Sequence, residues 1–195
     1  MKKNNNNYIA ETKRIYIKNI EFSDALKFSE WGNFETPLLK GYNYGNFTSF
    51  DARIWINSVN ALRKKYFAVY EKKEDKFIGF IGIKGIKVFK KTSKLGIVFS
   101  PQYVGKGYGY EAMKAFLNYY FNELGFVEMT LDVNTFNQRA LNLYKKLGFE
   151  IVGEDIEVFE NQNIELDPSN FEEINSVIYS KIYKMVLKRE DKIES

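Results

Sequence analysis

Neither cysteine nor histidine occurs among the 195 residues. Disulfides, thiolate nucleophiles, histidine bases and the usual zinc sites are excluded together. Any catalysis must use carboxylates, tyrosine, lysine, serine, threonine, backbone groups or water, with no metal. No apolar run approaches the roughly 20 residues that cross a bilayer. The opening Met1-Lys2-Lys3-Asn4 lacks the apolar segment of a secretory leader. A soluble cytoplasmic protein without a membrane partner is expected. Net charge is low at +4, from 29 basic and 25 acidic residues, which speaks against nucleic acid, a ligand that selects a clustered basic face. One stretch lacks positive charge altogether. From Glu154 to Ser180 there is no lysine or arginine, and eight acidic residues, from Glu154 through Glu173, give it a charge of −8, leaving +12 for the rest of the chain.

The length and a 45% hydrophobic content suit one globular domain, here residues 13–190, preceded by a polar tail over residues 1–12. Alternating Ile15 and Ile17 mark a first strand, Arg14 to Ile20. Ser23 and Asp24 offer caps for a helix through Trp31. An aromatic loop broken by Pro37 follows, and Thr48 with Asp51 forms a capping-box pattern that opens a second helix to about Lys64. Strands are expected at Tyr66 to Tyr70, Phe77 to Val88, Leu95 to Phe99, Val127 to Val133, Phe149 to Val158 and Val177 to Leu187, with helices from Tyr110 and over Phe136 to Leu147. The class is α/β (α+β): a mixed, mostly antiparallel sheet flanked by helices, in the order βααβββαβαββ.

The chain is organised around Lys94 to Leu124. A short apolar strand is closed by Pro101, since proline cannot donate to a ladder. Gly105, Gly107 and Gly109 let backbone turn sharply and approach a ligand. Ala112, Met113, Phe116, Leu117, Tyr120 and Phe121 then recur at helical spacing. Free N–H groups at such a helix start form an anion site suited to phosphate or pyrophosphate. The nucleotide P-loop pattern fails because Gly105-Lys106 is followed by Gly107. The dinucleotide fingerprint fails because no run of βαβ units surrounds Asp132.

A second motif follows in fixed order: Asn134-Thr135-Phe136-Asn137, Ala140, Tyr144 and Gly148-Phe149. Together the two motifs resemble the GNAT superfamily of acetyl-CoA-dependent N-acetyltransferases, in the branch of ribosomal-protein N-terminal and spermidine acetyltransferases. The resemblance runs from about Leu95 to Gly153. On the family's Gln/Arg-x-x-Gly-x-Gly/Ala turn, Val104, Gly105, Lys106, Gly107, Tyr108 and Gly109 take the six positions, with Val104 departing from Gln or Arg. A register shifted to Gln102 would separate the last glycine from the helix start.

The resemblance implies that an acceptor amine attacks the acetyl-CoA thioester directly in a ternary complex. It also implies that Val98 and Phe99 hold the pantetheine arm by backbone groups, that Val104 to Gly109 take the pyrophosphate, that Asn137 bonds the pantetheine, and that Tyr144 points its hydroxyl at the sulfur as the catalytic residue. Asn137 and Tyr144 are seven residues apart, two helical turns, so both can face one ligand; a helix cap and a core aromatic are the competing readings. Glu35, Asp132 or a water chain would deprotonate the amine. The acidic stretch, with Glu157, Glu160 and Glu165, points either to a cationic acceptor (polyamine, aminoglycoside-like amine or basic protein N-terminus) or to a solvated loop. A non-catalytic acyl-CoA sensor and a protein-modifying enzyme docking its partner on the Trp31 to Phe50 loop are the rival functions, and a homodimer through the closing strands is expected from the resemblance.

Overall fold

A computed structural model describes residues 8–189. The strands are β1 (Tyr8–Glu11), β2 (Ile15–Asn19), β3 (Lys65–Glu71), β4 (Lys76–Lys87), β5 (Thr92–Phe99), β6 (Glu128–Asn134), β7 (Glu150–Val158), β8 (Phe171–Ile174) and β9 (Val177–Lys188). The helices are α1 (Phe22–Leu26), α2 (Ser49–Val59), α3 (Tyr108–Asn118) and α4 (Gln138–Lys146). All strands join one sheet in the order β1-β2-β3-β4-β5-β6-β9-β7, with β8 on β9. Only β5 and β6 run parallel, the crossover between them being α3. This is the expected class of mixed, mostly antiparallel sheet flanked by helices, enlarged by two strands.

The first addition is β1, where a tail was expected. Tyr8 to Glu11 pairs with β2; the Tyr8 ring stacks on Tyr16 with centroids 4.1 Å apart, and Ile9 and Ala10 pack against the core on the other face. The rest of the expected tail, residues 1–7, lies outside the described residues. The second is β8, four residues inside the acidic stretch, anchored by the buried Phe171.

The central strands are buried on both faces, which explains their near-continuous apolar runs. Ile15, Ile17, Phe67, Val69, Ile78, Ile81 and Ile83 pack under α3 and α4. Tyr16, Ala68, Tyr70, Phe77 and Phe80 face the opposite way, onto α1 and α2. A bulge opposite Val69 and Tyr70 changes the parity of β4, so that Phe77 and Phe80, three apart, share one face. That second core centres on Phe28, fully buried, whose ring meets Trp31, Tyr44, Phe47, Trp55, Phe77 and Phe80 at centroid distances of 4.5–5.9 Å.

The first helix is shorter than its pattern suggests. Glu21, not Ser23, is the N-cap, and the helix gives way after Leu26 to a 3-10 turn over Lys27–Glu30. Asp24 sets the start: 1% exposed, its carboxylate accepts from Glu21 N–H at 2.8 Å, completing a capping box, and also from Lys18 Nζ at 2.7 Å and Tyr70 Oη at 2.6 Å. α2 is capped by Thr48 and Asp51 as expected but ends at Val59.

Phe28 joins loop, helices and sheet in one cluster, so Phe28→Ala is expected to cost about 3–5 kcal/mol of unfolding free energy. Urea titration checks this, with wild type as reference.

Candidate active site

β5 and β6 pair only through Thr92–Lys94 against Glu128–Thr130, and then part. Each is held from outside: β5 by β4 up to Phe99, and β6 by β9 up to Asn134. Tyr120 pins the closed end, its hydroxyl 2.9 Å from Ser93 Oγ of β5 and donating to Glu128 O of β6 at 2.7 Å. Lys94 and Asp132 form an ion pair just past the last paired residues. The result is a wedge. Beyond Lys94 no described strand pairs with the edge of β5 that faces β6, so backbone groups of Leu95 to Phe99 are free for a ligand.

A cavity of about 310 Å³ fills the wedge. Its walls come from both faces of the sheet. Val98, Phe99, Val133 and Asn134 supply the diverging strands; Gly109, Ala140, Leu143 and Tyr144 come from the α3 and α4 side, and Phe34, Leu39, Tyr42, Asp132 and Glu157 from the other. One slot therefore connects the two faces, and two ligands entering from opposite sides would meet in it.

At one end sits the glycine turn. Gly105 and Gly107 have φ of +80° and +83°, the left-handed region where a Cβ would be strained. Gly107 is the N-cap of α3, so the helix starts at Tyr108, two residues earlier than its apolar pattern indicates. Gly109 is already helical and has no positive φ; a Cβ there would meet Leu143 Cδ2 at an ordinary contact distance of 3.5 Å, so neither conformation nor packing requires a glycine at this position. The eleven-residue α3 presents its unpaired first-turn N–H groups at this end of the cavity, which suits a pyrophosphate.

Asn137 is both a helix cap and a cavity-wall residue. Its side-chain oxygen caps α4 by accepting from Ala140 N–H at 3.2 Å, and the residue also lines the cavity. Tyr144 likewise packs in the core, 7% exposed, with its ring 5.7 Å from Phe149, and lines the cavity. Burial, with a smaller contribution from Tyr42, pushes the Tyr144 hydroxyl well above the usual tyrosine range. It therefore stays protonated at physiological pH and keeps an O–H to donate.

Of the residues singled out in the sequence, Val98, Phe99, Val104, Gly105, Gly107, Gly109, Asn137 and Tyr144 come together on the cavity wall. Lys106 and Tyr108 do not. The Lys106 ammonium lies over the Tyr103 ring at 5.6 Å, and the Tyr108 ring carries the Arg14 guanidinium at 4.5 Å. Glu35 is exposed and off the wall, whereas Asp132 is on it.

Several wall residues had no signal in the sequence. Phe34 and Tyr42 flank a 3-10 helix over Pro37–Tyr42, and Asn43 braces the loop by accepting from Phe34 N–H at 2.7 Å. Asn134 stands in the second motif without a role, yet its side-chain oxygen is buried and has no hydrogen-bond partner among the described residues. An orphaned acceptor on a cavity wall fits a ligand that brings an N–H.

The acidic stretch divides. Asp155 pairs with Lys184 at 2.5 Å, Glu172 with Lys181 at 3.6 Å, and Asp167 takes bonds from Ser169 and Asn170. Glu157 alone of the eight lines the cavity. Partial desolvation and the neighbouring Asp132 carboxylate raise its pKa above the usual carboxylate range.

Residues 14–150 match the family model described as an acetyltransferase (GNAT) domain. The chain belongs to the GNAT family. Among GNAT relatives, it is 32% identical to the uncharacterized N-acetyltransferase YnaD of Bacillus subtilis over 143 residues, 73% of this chain and 82% of that protein. It is 33% identical to the spermidine N(1)-acetyltransferase of Escherichia coli K12 over 76 residues, 39% of this chain and 41% of that enzyme. In fold it is similar to a spermidine N-acetyltransferase from Vibrio cholerae solved with CoA and spermine, with TM-score 0.70, 18% identity and coverage of 91% of this chain and 96% of the other. A GNAT acetyltransferase from Bacillus anthracis gives TM-score 0.68, 22% identity and coverage of 93% and 99%. The activity that follows is acyl-CoA-dependent N-acetyl transfer, with acetyl-CoA as cosubstrate.

Asn137→Ala removes a cap and is expected to lower unfolding free energy by about 1 kcal/mol, whereas Asn137→Ser keeps a capping oxygen and restores most of it. Urea titration of both variants checks this.

Proposed function

We propose that this GNAT chain acetylates a primary amine on a small cationic molecule, polyamines ahead of aminoglycoside-like amines and protein N-termini, by direct attack in a ternary complex. One observation carries the reading of the acceptor: two carboxylates, Asp132 and Glu157, line the cavity on the side away from α3 and α4, and only Asp132 is paired with a cation among the described residues. A carboxylate left without a counter-ion in a ligand cavity favours a ligand that brings one. The spermidine acetyltransferases among the relatives support the same class. The Phe34 to Tyr42 segment gives the slot a wall on the acceptor side, held by Asn161 Nδ2 donating to Pro37 O at 3.3 Å, and a walled slot favours a small acceptor over a protein chain.

The cosubstrate supplies an acetyl thioester. The chain's residues bind and orient it: the α3 first turn with Gly105 and Gly107 at the pyrophosphate, the free edge of β5 at Val98 and Phe99 along the pantetheine, and Asn137 and Asn134 at its amides. Glu157 and Asp132 receive the ammonium, and a carboxylate of raised pKa is the better proton acceptor from an alkylamine near pKa ~10.4. Tyr144 donates a hydrogen bond to the departing sulfur. Full proton transfer to a thiolate near pKa ~8.5 is uphill by about 2 kcal/mol from an ordinary tyrosine. The raised Tyr144 pKa makes it more so, which leaves the donor role.

Tyr144→Phe is expected to lower kcat about 10–100-fold with the KM for acetyl-CoA within about twofold, as befits a donor acting mainly in the transition state. An unchanged kcat would remove Tyr144 from the chemistry. Glu157→Gln is expected to raise the KM for spermidine about tenfold and to leave that for acetyl-CoA unchanged. Thiol release from acetyl-CoA across polyamines, aminoglycosides and basic peptides reads both; equal KM values for every amine in wild type and variant would overturn the acceptor assignment.

A further inference from the structure

The turn between β1 and β2 lies against the first turn of α3, at the glycine loop. Glu111, in that first turn, receives the Thr12 hydroxyl, Arg14 N–H at 3.2 Å, Arg14 Nε at 2.6 Å and Arg14 Nη2 at 2.5 Å. The remaining guanidinium nitrogen, Nη1, donates to the Lys106 carbonyl at 3.1 Å. The guanidinium plane covers the Tyr108 ring at 4.5 Å, and Nη2 lies 3.4 Å from where a Cβ on Gly107 would stand. One side chain thus touches three successive residues of the loop, Lys106, Gly107 and Tyr108.

We propose that Arg14, locked by Glu111, is a positioning residue that holds the Lys106–Gly107 peptide so that the Gly107 N–H faces the cosubstrate's pyrophosphate. This rests on the acetyl-CoA site proposed above. The peptide is trans, so its C=O and N–H lie in one plane and point in opposite directions within it. Tying the Lys106 carbonyl outward to Arg14 turns the Gly107 N–H inward to the cavity that Gly107 lines. A loop with two glycines at positive φ has many alternative conformations, and fixing one before the ligand arrives removes that ordering cost from binding. Glu111 fixes Arg14 in turn. Its partial burial acts to raise its pKa, but the hydrogen bonds from Thr12 and Arg14 outweigh this and hold it below the usual carboxylate range, so the lock stays charged at physiological pH. With its charge matched by Glu111, Arg14 acts here as a strut, and only the planar fork of arginine can bond Glu111 and Lys106 O together.

The test compares wild type, Arg14→Lys, Arg14→Ala and Glu111→Gln in two measurements. The first is kcat/KM with acetyl-CoA and with S-acetylpantetheine, which lacks the pyrophosphate, using one amine acceptor at fixed concentration. A positioning role predicts that all three variants lose about tenfold with acetyl-CoA, through KM, and less than twofold with S-acetylpantetheine. If Arg14 were instead a direct phosphate ligand, Glu111→Gln would free its charge and improve acetyl-CoA, and Arg14→Lys would keep most of the affinity; that pattern overturns the proposal. Equal losses with both donors would show general damage and overturn it as well. The second measurement is amide hydrogen exchange without ligand, where Lys106 to Gly109 should exchange faster in the variants while the later turns of α3 do not. Unchanged loop exchange overturns the strut whatever the kinetics show. Should wild type use neither donor, the acetyl-CoA reading falls, and the exchange experiment alone decides whether Arg14 orders the loop.

Discussion

Everything at the site depends on two strands that start as a pair and are prevented from continuing as one. β5 belongs to β4, and β6 belongs to β9, each over nearly its whole length, so among the described residues the short parallel contact at Thr92–Lys94 is the only strand pairing between the halves of the sheet. Tyr120 closes that contact with hydrogen bonds to both strands, and its burial, the main cause, pushes its own hydroxyl pKa up to about 12. The parted ends would be a defect in an ordinary sheet, since buried backbone donors and acceptors need partners. Here they are the reason that an extended ligand can lie where a strand would. The same parting lets the cavity pass through the sheet, so residues from both faces address one space.

The ends of that space differ in polarity. Around Gly105 and Gly107 it meets the positive end of α3, backbone donors and no acidic wall residue. On the opposite face it meets Asp132 and Glu157. A slot with an anion site at one end and carboxylates at the other orders two ligands of opposite charge without discriminating them by shape.

Local signals were legible in the sequence and long-range ones were not. The glycine turn, the strand stop at Pro101 and the Asn137–Tyr144 spacing each express a backbone requirement within a few residues, and the structure places Gly105, Gly107, Gly109, Asn137 and Tyr144 on one cavity wall. The capping reading of Asn137 holds, and because the cap uses only the side-chain oxygen it does not take the residue off the cavity wall. The side chains of Lys106 and Tyr108 do not line the cavity; they are taken by Tyr103 and Arg14. β1 was hidden because four residues with a single aromatic carry no periodicity, and its pairing depends on Tyr16 stacking on Tyr8. The start of α1 was hidden because Asp24, which completes the capping box with Glu21, answers to Lys18 and Tyr70 as well as to its own helix. Nothing in the order of the acidic residues separates Glu157, on the cavity wall, from Asp155, paired with Lys184; that distinction comes from the register of β7 on β9 and the cover laid over it by the Phe34 to Tyr42 segment.

A chain without cysteine or histidine has no side chain whose ordinary pKa lies near neutrality, and the site is consistent with chemistry that does not need one. Direct attack by an amine requires no acyl-enzyme. Tyr144 is held protonated by burial, so its contribution is constant across the physiological range, and the pH dependence of the reaction is left to the amine and to the cavity carboxylates. Those carboxylates act in a definite direction. In the proposed reading, a raised Glu157 pKa narrows the gap to the acceptor's ammonium, which eases deprotonation, but it also means that acidification discharges Glu157 sooner than an ordinary glutamate. On that proposal recognition of the cation and removal of its proton fail together as pH falls, and rising pH favours both until the amine loses its charge in solution and with it the attraction that draws it into the slot.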